Sequence, residues 1–155
     1  MKRLLFAALL LLPMQALAET VVEDAWVMLP PPVADTAAGY MTIKNTGDKE
    51  VSVVSVITDV AESPEFHSSM MHNGMMHMKA MEKVVIPAHG EVKFEQGGNH
   101  LMLVGLKKKL KAGEHVMITL KMSDGSKVMV HAEVRDMRDD GGSEHHNMNH
   151  DHHSH

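Results

Sequence analysis

Asn73-Gly74 lies inside a sixteen-residue stretch, Phe66 to Met81, that carries six methionines and three histidines. Asn-Gly is the strongest short-range signal for a two-residue hairpin, because a type I′ turn needs positive φ at both central positions. Centring the turn on that dipeptide fixes the register. His72 falls opposite Met75, Met71 opposite Met76, Ser69 opposite Met78 and His67 opposite Ala80. Directly opposed residues share a face and side chains alternate with a period of two. His67, Met71, Met76 and Met78 are therefore expected on one face, with His67 and Met78 diagonal neighbours within reach of one metal ion.

The same period of two runs through the rest of the domain. Runs rich in β-branched and apolar residues at 21–28, 38–44, 51–57, 64–71, 76–82, 91–94, 100–105, 115–122 and 127–134 read as strands. Pro30-Pro31-Pro32, Asn45-Thr46-Gly47-Asp48, Gly97-Gly98, Ala112-Gly113 and Asp124-Gly125 separate them. No stretch gives a long amphipathic helix. Many short strands at regular spacing predict an all-β sandwich or barrel.

His100-Leu101-Met102 supplies a second ligand pair, since residues i and i+2 of a strand point the same way. Together, His67, Met78, His100 and Met102 offer two imidazoles and two thioethers. Such a neutral, soft-leaning set selects Cu(I) over magnesium, calcium or manganese, and Cu(I) has no square-planar preference to oppose a tetrahedral site. Thioethers do not titrate, so protons compete only at the histidines. Met71 and Met76 are candidates for secondary binding. His89, in a Pro-Ala-His-Gly turn, and His115 and His131, in alternating strands, read as ordinary surface or satisfied residues.

Composition removes the competing chemistries. The chain has no cysteine among its 155 residues, which excludes blue-copper, zinc-thiolate and iron–sulfur centres. No Ser-His-Asp or paired-carboxylate constellation is legible, and thioethers favour one copper state where a redox catalyst must hold two, so no enzymatic activity is expected.

The two ends read differently from the middle. Lys2-Arg3, the apolar run Leu4 to Leu12 and Ala16-Leu17-Ala18 form a secretory signal, with cleavage expected after Ala18 and no membrane span thereafter. Losing Lys2 and Arg3 leaves 13 of the 15 basic residues against 20 acidic ones, a net charge of −7. An acidic chain with few aromatics is not a nucleic-acid binder. From Asp136 to His155 large aliphatics almost vanish, which predicts a disordered tail. Its His145, His146, Met148, His150, His152, His153 and His155 form a metal-binding composition suited to Cu(II). The expected organisation is a signal peptide at 1–18, a copper-binding domain at 19–135 and a metal-binding tail at 136–155.

The spacing of the four ligands, His67-x10-Met78-x21-His100-x-Met102, resembles the signature of the periplasmic PCuAC-type copper chaperones. Asp24-Ala25-Trp26, Pro30-Pro31-Pro32, Ala38-Gly39-Tyr40-Met41, Ile86-Pro87-Ala88 and Gly97-Gly98-Asn99-His100 are similar to that family as well. The resemblance spans about residues 20 to 135. It implies a cupredoxin-like Greek-key β-barrel or sandwich with a surface-exposed Cu(I) site. It also implies a periplasmic carrier that delivers copper for assembly of the CuA centre of cytochrome c oxidase, with subunit II of the oxidase or a Sco-type thioredoxin-like chaperone as partner. The extra Met and His of the hairpin and tail leave a second function open, copper storage for tolerance.

Overall fold

The computed structural model describes residues 19–138. The expected signal segment and the tail histidines from His145 to His155 lie outside the described residues. Those described form ten strands and no helix. In chain order they are β1 (Thr20–Met28), β2 (Thr36–Asn45), β3 (Val51–Thr58), β4 (Ala61–His72), β5 (Met75–Ala80), β6 (Val84–Ile86), β7 (Glu91–Phe94), β8 (His100–Leu106), β9 (His115–Met122) and β10 (Lys127–Arg135). Nine coincide with runs expected from the sequence. The exception is β6, whose three residues are too few for an alternating pattern to register. β4 starts at Ala61, ahead of the expected 64, because Ser63-Pro64 reads as punctuation yet is paired with β8 in the folded sheet.

The strands form one hydrogen-bonded path, β5-β4-β8-β2-β1-β10-β9-β3-β6, with β7 branching from β2. β2 is long enough to serve two neighbours on one side, β8 along Thr36–Gly39 and β7 along Met41–Lys44. β1 and β10 pair in parallel and the other ladders are antiparallel. The path is open, but it curls, so that β3 comes against β4 and β6 against β2, and a single core forms inside. That core draws on Val27, Met41, Ile43, Val53, Phe66, Ile86, Leu101, Leu103, Ile118, Leu120 and Val134, among others. The architecture is the all-β, cupredoxin-like one expected.

Alternation decides which residues enter the core. In β9, Val116, Ile118, Leu120 and Met122 are buried, and the residues between them are not. In β8, Leu101 and Leu103 are wholly buried. His100 and Met102 must then point to the opposite face of that strand. Asn45 closes the end of β2. It is buried, and its amide donates to the carbonyls of Lys49 (2.7 Å) and Ile86 (3.3 Å) while its side-chain oxygen accepts from Gly47 N–H at 3.0 Å. A buried polar side chain with every major partner present stabilises the turn where an unpaired one would cost.

Candidate metal centre

β4 changes character along its length. Ala61 and Phe66 are buried, and the Phe66 ring packs on Phe94 with centroids 4.8 Å apart. That contact anchors the strand to the core. From Met70 to His72 every residue is exposed, as is every residue of β5. The β4–β5 hairpin therefore leaves the body of the protein as a two-stranded ribbon. Asn73 (φ 51°) and Gly74 (φ 75°) both take left-handed conformations at its tip, as a type I′ turn requires.

The ribbon register is the one read from the sequence: His67 opposite Ala80, Ser69 opposite Met78, Met71 opposite Met76, His72 opposite Met75. On its other edge β4 pairs with β8, and there His67 falls directly opposite His100 and Glu65 opposite Met102. Three adjacent strands thus place His67, Met78, His100 and Met102 on one face. His67 is directly opposite one of the other three and diagonal to the remaining two. The His67 and His100 rings lie 5.8 Å apart, tilted by 35°. A ring nitrogen about 2.0 Å from a metal puts its ring centroid roughly 3.1 Å from the ion, so two imidazoles sharing one ion span about 5 to 6.3 Å. The observed separation falls in that range without rearrangement.

The four side chains differ in how firmly they are held. His100 is 9% exposed and Met78 is 62% exposed. His100 Nδ1 lies 3.1 Å from the carbonyl oxygen of Gly98. Donation from Nδ1–H to that carbonyl leaves the Nε2 lone pair for a metal, the usual arrangement in which a backbone acceptor fixes a ligating histidine's tautomer. Gly98 can be so placed because Gly97 takes a positive φ of 80° in the preceding turn. His67 Nε2 lies 3.1 Å from Glu65 Oε2, which leaves Nδ1 for a metal when that nitrogen donates. Glu65 went unnoticed in the sequence. The available signal was Glu65-x-His67, the same i, i+2 spacing that exposes His100-x-Met102.

Met71 and Met76 share the face but sit four residues along β4 from His67, roughly 13 Å at strand rise. They lie outside the cluster, toward the ribbon tip. His89 is engaged elsewhere, with Nε2 2.7 Å from Asp48 Oδ1. Among the described residues no group of three or more His, Cys, Asp or Glu is placed to hold a metal. A site in this region therefore needs its thioethers, and thioethers exclude hard ions as preferred occupants.

Known proteins resemble this chain in sequence and in fold. Residues 20–134 match the LpqE-like family, described as "Putative lipoprotein LpqE-like". The "Putative lipoprotein Lxx21020" of Leifsonia xyli subsp. xyli is 35% identical over 116 residues, covering 74% of this chain and 69% of that protein. The solution structure of CuI-DR1885 from Deinococcus radiodurans is 39% identical with a TM-score of 0.62, covering 79% of this chain and 83% of that one. The copper-bound PCuAC domain from PmoF2 is 22% identical with a TM-score of 0.65, covering 76% and 92%, and bears on the fold alone.

Proposed function

The chain belongs to the LpqE-like family and has the fold of PCuAC copper-binding domains, and on that footing we propose that it is an exported Cu(I)-binding metallochaperone. His67, Met78, His100 and Met102 are its ligands. The observation that carries the reading is the pairing of His67 with His100 across β4 and β8, rings 5.8 Å apart, with Met102 and Met78 flanking them on the same face. The Cu(I) form of DR1885, at 39% identity, supports copper as the cargo.

The uneven hold on the four ligands suits transfer. His100 is fixed in the barrel wall, whereas Met78 stands on an exposed edge strand from which a partner's ligand can displace it stepwise. All four donors are uncharged, so no carboxylate or thiolate has to be separated from the departing cation. Residues 1–18 serve as a signal peptide removed after Ala18, residues 19–135 form the copper domain, and delivery is to cytochrome c oxidase, directly to subunit II or through a Sco-type protein, in the periplasm. No helix among the described residues is long and apolar enough to cross a membrane. The tail at 136–155 binds Cu(II) through its histidines.

Storage is the second reading, favoured by the number of exposed methionines beyond the four ligands. Mixing Cu(I)-loaded protein with an apo CuA-domain fragment separates the two. Stoichiometric transfer of one ion supports the chaperone, while several bound ions and no transfer contradict it. Deleting residues 143–155 should lower Cu(II) stoichiometry and leave Cu(I) affinity intact; unchanged Cu(II) binding would remove the tail from the account.

A further inference from the structure

The ribbon has two solvent-exposed faces, and the metal cluster uses one. The other carries Met70 directly opposite His77 and His72 directly opposite Met75. These four occupy two successive cross-strand pairs, so the two histidines lie on one diagonal of a four-residue patch and the two methionines on the other. Opposed Cβ atoms in such a ladder are about 4.5–5.5 Å apart and diagonal ones about 7–8 Å. The His72 and His77 rings have centroids 6.3 Å apart, edge to face. Two imidazoles on one four-coordinate ion need about 5 Å, so the rings, on exposed side chains, have to rotate toward each other by roughly 1 Å to share it.

We propose that Met70, His72, Met75 and His77 form a second Cu(I) site, on the face of the β4–β5 ribbon opposite His67 and Met78. The donor chemistry repeats that of the first cluster, two imidazoles and two thioethers, so the same soft monovalent ion is selected. The sheet keeps the two sites apart, because side chains on opposite faces of one ribbon cannot reach a common ion. The outer face of β9 and β10 offers a useful contrast. There Met117 opposes His131, but His115 opposes Glu133 and Met129 opposes Thr119, so the soft donors are strung along the ladder and do not close a patch. All four ribbon residues are exposed, and none is held as His100 is held by the Gly98 carbonyl. The second site is therefore the weaker, by at least about tenfold, since its ligands must be ordered by the ion itself.

The test is a Cu(I) titration of the full exported chain labelled with ¹³C at the methionine methyls. In the wild type, the Met78 and Met102 methyls shift with the first equivalent and the Met70 and Met75 methyls with the second. In the His67→Ala/His100→Ala variant, Met70 and Met75 still shift. In Met70→Leu/Met75→Leu, one equivalent is lost and Met78 and Met102 respond as before. The proposal is overturned if Met70 and Met75 do not move by two equivalents, or if they move only in step with Met78 and stop responding in the His67→Ala/His100→Ala variant. If Met70 and Met75 shift while Met78 and Met102 do not, the second site stands and the four-ligand assignment above falls.

Discussion

Gly74→Ala isolates the contribution of the ribbon to the metal centre. A Cβ built on Gly74 meets nothing within 4 Å, so the substitution brings no clash. Its cost is conformational: holding a non-glycine residue at φ 75° costs about 1–2 kcal/mol. That cost loads onto β5, which among the described residues pairs only with β4 and whose six residues are all exposed. A lone two-stranded ribbon is marginally stable. If the wild-type ribbon is favoured by about 1.4 kcal/mol, an equal penalty drops the formed fraction from about 0.9 to 0.5, and the apparent Kd for Cu(I) rises about twofold. If the ribbon is barely formed before the ion arrives, the whole penalty appears in binding and Kd rises about tenfold. The barrel core does not depend on the ribbon, so Tm should stay within about 1 °C, against the roughly 3–5 °C that 1 kcal/mol of global destabilisation would bring. The assays are a chelator-competition titration, amide exchange at Met76 to Met78, and thermal melting. Faster exchange with an unchanged Kd would show that Met78 does not hold the ion. A Tm loss of several degrees would show that ribbon and barrel fold as one unit, and the reasoning would fail.

Leu101→Ala should do the reverse. Leu101 is wholly buried between His100 and Met102 and packs over Gly39, so truncation should cost about 2–5 kcal/mol in denaturant unfolding, with Cu(I) affinity of the folded protein changed by less than about threefold. Glu65→Gln should weaken Cu(I) binding about two- to fivefold by competition titration, because the carboxylate orients the His67 ring; tighter binding would mean that Glu65 competes with the metal. Asp124 accepts from the Ser126 hydroxyl and amide, which holds its carboxyl below the ordinary range. Its contribution is present above the unfolded-state value and lost as pH falls through the folded one. Asp124→Asn should therefore be less stable near neutral pH by under about 1 kcal/mol, with the gap closing below about pH 4.

Much of the site was legible because strand geometry is discrete. Asn73-Gly74 admits one turn type, that turn admits one register, and a period of two assigns each residue of Phe66–Ala80 to a face. The His67–Met78 relation follows from the sequence without any tertiary information. The His67–His100 pairing does not. It depends on β4 lying beside β8, a contact between residues more than thirty positions apart, and only the resemblance in ligand spacing pointed to it. β6 escaped for lack of length. Glu65 escaped because a carboxylate beside a histidine is common on any surface, and the back-face patch because exposed Met and His are unremarkable one by one and only the ribbon register makes these four a group.

Copper K-edge absorption at one equivalent of Cu(I), measured in a Met70→Leu/Met75→Leu background so that the outer ribbon site cannot supply an identical shell, and compared with the same background carrying Met78→Leu, Met102→Leu, His67→Ala or His100→Ala, tests the central assignment most directly. The account requires two nitrogen and two sulfur neighbours in the background protein. It requires one sulfur fewer in each methionine variant and one nitrogen fewer in each histidine variant, with the β-sheet circular dichroism unchanged. An unaltered shell in Met78→Leu and His100→Ala would place the ion elsewhere and contradict it.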